Sequence, residues 1–469
     1  MKQKFLDRNI LILLASFVIS RIVLSWFKVE MNTDSINVYW QYLSVDSLQN
    51  NLLKGVWYNH TQPPVFNLFL GGILKLFGDR AAFIFPFIFK MITIINVVVL
   101  YKCLNMLVSD ARISLVLSLV YLLSPATMIL ENELFYTTFI TMLLLLSSYN
   151  LLHFKSKQSY LHAWGFLLPL AIACLTRSMY NIIWLFVIAV VVIIYFRKTA
   201  FKTLAVVSVV CILLTASWYI KNYLIFEKFT TSTWLGMNLA RNVFHDQVSV
   251  DSSRIEAIEP FSKISVYKPF IAGRLEEKYA GLNDKELLNE FKNGGHVNEN
   301  HINYIEVSEK YAEASKKYVM SHPAAYIKNV LQSAIIFFVP ATRYPLAEEQ
   351  SRKIKYYDLI YSFNLSHFAK GKEERRIAMV ISAIPKIILY VFTFSFIFIG
   401  VKRSRQISVL NLFIVLTFLY VFVISSCMEH YENMRFRFEI EPLFLLLLAQ
   451  VIATKFKQKA YVSESALKK

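Results

Sequence analysis

The sequence predicts an all-α polytopic membrane protein with about ten transmembrane helices, and three observations carry that prediction. Hydrophobic residues make up 56% of the 469-residue chain and mean hydropathy is +0.45, values too apolar for an ordinary water-soluble fold of this length. Several windows near ~20 residues carry no charge, the length a helix needs to cross a bilayer. Lys and Arg gather in the short connections between apolar runs, as cytoplasmic loops do. The formal charge of +18 therefore reads as loop bias, and no nucleic-acid partner is expected.

The N-terminus "MKQKFLDRN" carries Lys2, Lys4 and Arg8, which favour the cytoplasmic side. The first span, about 10–27, is long and lacks a small-residue cleavage site, so it reads as a retained anchor. Residues 28–62 then lie outside. The following piece, "PVFNLFLGGILKLFG", contains Gly71, Gly72 and Lys75 and falls short of a span, which places it on the outer surface. Spans follow near 81–104, 113–129, 134–152, 161–176, 179–196 and 203–221. Their alternation brings Lys102/Arg112, Lys155/Lys157 and Arg197/Lys198/Lys202 inside. Spans near 378–401, 406–426 and 438–454 do the same for "KRSR" (402–405) and "KFKQK" (455–459), provided that 324–340 lies along the interface. Crossing by both 64–78 and 324–340 would raise the count to twelve and expose Lys102 and Arg112.

Three regions result. Residues 1–221 form a transmembrane module with outer loops 28–80 and 129–134. Residues 222–377 form an extracytoplasmic segment, a mixed and mainly helical outer layer. Residues 378–469 supply the last spans and a cytoplasmic tail. Cys103, Cys174, Cys211 and Cys427 have no metal-ligand spacing and read as small core residues.

The chemistry-bearing residues collect on the outer face. Asp34 and Asp46 lie on the first loop, and Glu131 and Glu133 lie in "SPATMILENELFYTTF" between two spans. Aromatic and apolar neighbours could desolvate such carboxylates and tune one as a base. Arg177, Lys221, Arg435 and Arg437 sit at the same border, on the side opposite to the basic loops. A phosphate carried on a lipid would account for them, because arginine pairs bidentately with phosphate oxygens. Trp234 and Asn238 in "WLGMNLARNVF" offer an aromatic face and an amide to sugar hydroxyls. Arg21, deep in the first span, is costly in lipid and should face the bundle or a wet cavity.

The stretches "WYNHTQPPVFNLFLGGILKLFG", "SPATMILENELFYT", "LTRSMYNIIWL", "WYIKNYLIFEKFTTSTWLGMNLAR" and "ENMRFRFEIEPL", spread over residues 30–445, together resemble the GT-C glycosyltransferase superfamily. Within it the chain is similar to the protein O-mannosyltransferase and aminoarabinose-transferase-like membrane enzymes. The resemblance implies a GT-C-like fold and inverting transfer of a sugar from a polyprenyl-phosphate donor to a glycan, lipid or protein acceptor. It implies an active site on the extracytoplasmic face of a bacterial inner (plasma) membrane. By the same resemblance, Asp34 or its rival Asp46 is the base, and Glu131 or Glu133 is the second acid. The resemblance leaves the cofactor open between a divalent metal (Mg, Mn or Ca) held by Asp34 and Glu131 and a metal-free pair of acids, since the sequence shows no tight ligand cluster. Relatives place His or Lys directly before the two prolines; this chain has Gln62 there, with His60 as the alternative contact. A lipid-linked sugar transporter or flippase should instead show internal repeats and broken midplane helices. An oligosaccharide polymerase or ligase would share the outer loop and its arginines, and a scaffold would tolerate replacement of the acids.

Overall fold

The computed structural model describes residues 8–108, 110–244, 285–289, 291–292 and 295–467; the side chains of Asp34, Ser35, Lys285 and residues 455–467 lie outside that description. Regular structure among these residues is helical, apart from one isolated bridge between Phe291 and Val297. The first half runs through α1 (Arg8–Trp26), α2 (Val45–Asn50), α3 (Leu52–Tyr58), α4 (Pro64–Phe77), α5 (Ala81–Leu107), α6 (Ala111–Leu122) and α7 (Pro125–Leu130). It continues with α8 (Thr137–Lys157), α9 (Tyr160–Cys174), α10 (Ile182–Tyr195) and α11 (Phe201–Phe226). The middle segment contributes α12 (Leu235–Phe244), α13 (Tyr304–Ser321) and α14 (Pro323–Phe338). The chain closes with α15 (Lys372–Ser404), α16 (Val409–Met428) and α17 (Asn433–Leu467).

Six stretches are long and apolar enough to cross a membrane: α1, the continuous Pro64–Leu107 run holding α4 and α5, α8, α11, α15 and α16. Three further apolar helices, α6, α9 and α10, are shorter, at 12, 15 and 14 residues. The protein is thus a helical, membrane-embedded chain.

Local rules explain several boundaries. Pro64 opens α4, where its missing N–H leaves no helical bond unmade. Asp110 caps α6, and Asn181 caps α10 by accepting the N–H groups of Ile183 and Trp184. The two adjacent glycines of α4 differ in role. A Cβ on Gly71 would lie 2.3 Å from Leu52 Cδ1, so its absence lets α4 rest on α2 and α3, whereas Gly72 faces open space. Gly236 likewise seats α12 against α13, since a Cβ there would lie 1.8 Å from the Ser308 carbonyl oxygen.

The bundle centres on α8, which packs against α5, α9 and α17. Helix α14, the segment expected along the interface, packs against α15, α16 and α17 while Ile327 and Leu331 stay exposed. Arg21 of α1 turns inward to a bidentate pair with Glu131: Nε and Nη2 each donate at 2.7 Å to the two carboxylate oxygens. A pair so buried trades desolvation for mutual attraction, so losing one partner costs more than losing both. Glu131→Ala should lower stability by about 3–5 kcal/mol. Thermal melting of the detergent-purified protein reads this, with Arg21→Met/Glu131→Met recovering most of the loss; equal melting of wild type and Glu131→Ala would refute it.

Candidate functional site

A cavity of about 510 Å³ lies among the first loop, the α9–α10 and α11–α12 connections, α12 and the α16–α17 turn. That volume suits one small ligand headgroup. Its lining changes character from one side to the other. Ile183, Phe229 and Leu235 line its open, apolar side, each more than half exposed. Arg177 and Arg435 line its buried side, joined by Arg241, Glu429 and Glu432.

Each arginine is held differently. Arg177, just after α9, pairs through Nη1 with Glu439 Oε1, and its guanidinium lies 3.9 Å from the Phe436 ring centroid. Arg241 on α12 places Nη1 3.6 Å from both Glu429 Oε2 and Glu432 Oε1. Arg435, in the first turn of α17, donates from Nη2 to Glu432 Oε2 at 2.6 Å. The rings of Phe135 and Tyr344 lie 4.4 and 4.9 Å from its guanidinium. Its Nε and Nη1 are buried without a hydrogen-bond partner among the described residues. Buried donors are nearly always satisfied, so these two point to a missing acceptor. The buried Trp234 Nε1 also has no partner among the described residues.

The two cavity carboxylates are driven apart. Burial, reinforced by the neighbouring Glu432, holds the Glu429 carboxyl above its ordinary value against the pull of Arg241. Burial alone would raise Glu432 as well, but Arg435 and Arg241 together hold it below the ordinary value. One acid stays ionised between two arginines while the other retains a proton more readily, a division of roles that acid–base chemistry uses.

Gln62, Arg177, Trp234, Asn238 and Arg435 are the sequence-predicted residues that this cavity brings together. The others lie elsewhere. Asp46 is in the first turn of α2, accepting from Asn50 Nδ2 at 2.8 Å. Glu131 has both oxygens committed to Arg21, and Glu133 accepts from the Tyr39 hydroxyl at 3.0 Å, with burial pushing its carboxyl up to about 7. Lys221 donates to the Asn59 carbonyl at 2.7 Å. Arg437 donates to Glu441 at 2.6 Å and to the Phe337 carbonyl at 2.8 Å. The backbone of Asp34 opens a short 3-10 turn, Asp34–Asn37, and its side chain lies outside the described residues. The proposed metal pair does not fit, because the arginine already fills the Glu131 oxygens. No group of three metal-ligating side chains occurs among the described residues.

Arg241, Glu429, Glu432, Trp40 and Gln41 also line the cavity without having been singled out in the sequence. A signal existed for one of them: Trp234, Asn238 and Arg241 fall at i, i+4 and i+7, one face of a helix. The first loop reaches the cavity through Trp40 and Gln41, and its backbone is clasped from two sides. Asn67 on α4 binds Leu43 N–H and the Gln41 carbonyl at 3.0 and 3.2 Å, while Lys292 Nζ donates to the Tyr39 and Tyr42 carbonyls at 3.0 and 2.7 Å. No family model, curated protein or solved structure matches this chain.

His60 belongs to this scaffold and does not line the cavity. Its Nδ1 lies 2.8 Å from Thr233 Oγ1 and its Nε2 3.1 Å from the Asn300 carbonyl, tying the first loop to the middle segment. Burial, then the charge of Lys221, lowers its ring from 6.5 to about 3. The folded protein therefore favours the neutral ring. Its stabilising effect is complete above the unfolded value of 6.5 and is lost as pH falls from there toward about 3. The melting temperature of wild type should drop more steeply below about pH 6.5 than that of His60→Gln. Identical slopes for the two proteins would remove His60 as the source.

Proposed function

We propose that this chain is an integral-membrane glycosyltransferase that moves a sugar from a polyprenyl-phosphate carrier to an acceptor hydroxyl, with inversion. The supporting observation is Arg435: two of its buried nitrogens have no hydrogen-bond partner among the described residues, beside a cavity whose open side is apolar. A phosphate on a prenyl chain matches both features, its oxygens meeting the guanidinium and its tail following Ile183, Phe229 and Leu235. Arg435, Arg241 and Arg177 then neutralise the charge that grows on the carrier phosphate as its bond to the sugar breaks. Trp234, Asn238 and Gln62 supply an aromatic face and amides for the sugar.

The topology that accompanies this reading has ten spans, α1, α5, α6, α8 to α11 and α15 to α17, with both ends cytoplasmic. It places the cavity on the extracytoplasmic side of a bacterial inner membrane, consistent with the basic loops lying opposite. No step is routed through a metal. Deleting the gene should remove one sugar from the glycolipids or glycoproteins of the cell envelope, read by mass spectrometry, and the intact gene should restore it. Arg435→Met should weaken binding of polyprenyl phosphate to the purified protein by about tenfold or more, the loss expected for a charged hydrogen bond. Unchanged envelope glycans, or undiminished binding in Arg435→Met, would sink the proposal.

A further inference from the structure

We propose that residues 343–376 form a collar at the membrane border that binds the headgroups of anionic phospholipids. The inference goes beyond the glycosyltransferase reading, does not depend on it, and concerns a surface outside the cavity. Two short helices in this stretch, Glu348–Lys353 and Lys355–Ser362, are fastened to the C-terminal ends of apolar helices. Lys353 Nζ donates at 2.7 Å to the carbonyl of Lys28, just beyond α1. The hydroxyls of Tyr357 and Tyr361 donate to the Leu123 and Val120 carbonyls at the end of α6. Helix α1 is long and apolar enough to cross a membrane, and its Val18, Ile19 and Ile22 are more than half exposed, a surface suited to lipid. Elements held where that helix ends meet the bilayer at its border.

The helix Lys355–Ser362 is sided to match. Asp358 faces inward and is buried, its Oδ2 accepting from Thr342 Oγ1 at 2.6 Å and from Asn364 Nδ2 at 2.8 Å. On the other side Ile360 is 85% exposed, and Tyr356, one turn earlier, is 66% exposed. The Tyr356 and Phe368 rings lie 5.6 Å apart, with Lys355 Nζ 5.0 Å from the tyrosine centroid. Aromatic rings beside a basic group are the residue types that gather at headgroup level.

Charge selects the headgroup. Residues 343–376 hold eight Lys and Arg against five Asp and Glu. Three of the arginines converge on one acid. Glu348 accepts from Arg352 Nη2 at 2.7 Å and lies 3.1 Å from Arg343 Nη1. Burial raises the Glu348 carboxyl, but the Arg352 hydrogen bond and the charges of Arg343, Arg352 and Arg375 hold it below its ordinary value. Glu374 turns instead to the Lys370 N–H at 2.9 Å. One carboxylate does not neutralise three guanidinium groups. Arg343 Nε is buried without a hydrogen-bond partner among the described residues, while Arg352 and Arg375 are exposed. A phosphodiester brings acceptors to that cluster, and its acyl chains continue along Tyr356 and Ile360. A zwitterionic lipid carries its own cation to the same place, so an anionic one is preferred.

The test titrates the full chain, purified in detergent, with phosphatidylglycerol or phosphatidylcholine and counts bound lipid by native mass spectrometry. Wild type should hold phosphatidylglycerol about tenfold more tightly. Arg352→Gln/Arg375→Gln, changed at exposed positions, should lose most of that preference, since each cation near an anionic surface contributes about fivefold. The double variant should bind polyprenyl phosphate as wild type does, because the cavity arginines are untouched. Equal binding of the two phospholipids by wild type, or an undiminished preference in the double variant, overturns the proposal. A parallel loss of polyprenyl phosphate binding overturns it too, by assigning these arginines to that lipid. A second measurement reads depth without removing a charge. A nitroxide on Ile360→Cys, in a Cys427→Ser background, should meet oxygen but not a water-soluble nickel chelate in phosphatidylglycerol vesicles. Free access of the chelate refutes the proposal. Protection that disappears as the protein is diluted in lipid also refutes it, by giving the face to a second copy of the chain.

Discussion

A charge inside an apolar bundle must find a partner, and that requirement organises this protein. Removing an ion from water costs several kcal/mol, which attraction recovers only with good geometry. Arg21 reaches from α1 to Glu131 beyond α7, Arg177 from the α9–α10 connection to Glu439 on α17, and Arg437 shares Glu441 with Lys386 of α15. Arg21–Glu131, Arg177–Glu439 and Lys386–Glu441 tie elements far apart in sequence, so the charges that could unfold the bundle instead fix its register. Arg435 departs from the pattern. It is as deeply buried as the others, yet one carboxylate meets a single one of its nitrogens and aromatic rings cover much of the rest. Rings attract a cation without satisfying its N–H groups.

The same requirement separates the cavity from its supports. Ion pairs closed on themselves, such as Arg21–Glu131, have little left to offer a ligand. Arg241 stands between two carboxylates, its Nη1 3.6 Å from each, so the buried side of the cavity holds a cluster of mixed charge that an anion would meet. Placement of Trp40 and Gln41 depends on Asn67 and Lys292, which grip the first loop through its backbone carbonyls and one N–H. The middle segment is thus part of the site's architecture even where its side chains stay out of the lining.

The sequence reveals long apolar helices because hydropathy is a local property that survives in any context. Cavity residues were legible where a single side chain was conspicuous for its place: Arg177 and Arg435 at the border, Trp234 and Asn238 at the start of a helix. Pairing was not legible. Arg21 seemed to need a partner and Glu131 a role, and the structure joins them across 110 residues, cancelling both needs. Glu429 and Glu432 look in sequence like solvated turn acids. Their character comes from Arg241, a residue almost two hundred positions upstream that periodicity on α12 alone could place. The pair before the prolines resolves along the same line. His60 is drawn into the scaffold by Thr233 and Asn300, which leaves Gln62 at the cavity.

That outcome bears on how the two prolines work. Pro64 starts α4, and the N–H of Val65 donates at 2.9 Å to the Leu175 carbonyl at the end of α9. Leu175 is two residues before Arg177, so one short bond links the strap carrying Gln62 to the connection carrying an arginine. A shift of α4 would therefore move an amide and a guanidinium on the cavity wall together. Gly71 fixes α4 against α2 and α3 midway along the same helix. On the proposed reading, the prolines and that glycine hold the polar end of the cavity at constant width, while its apolar side is left open to a lipid chain.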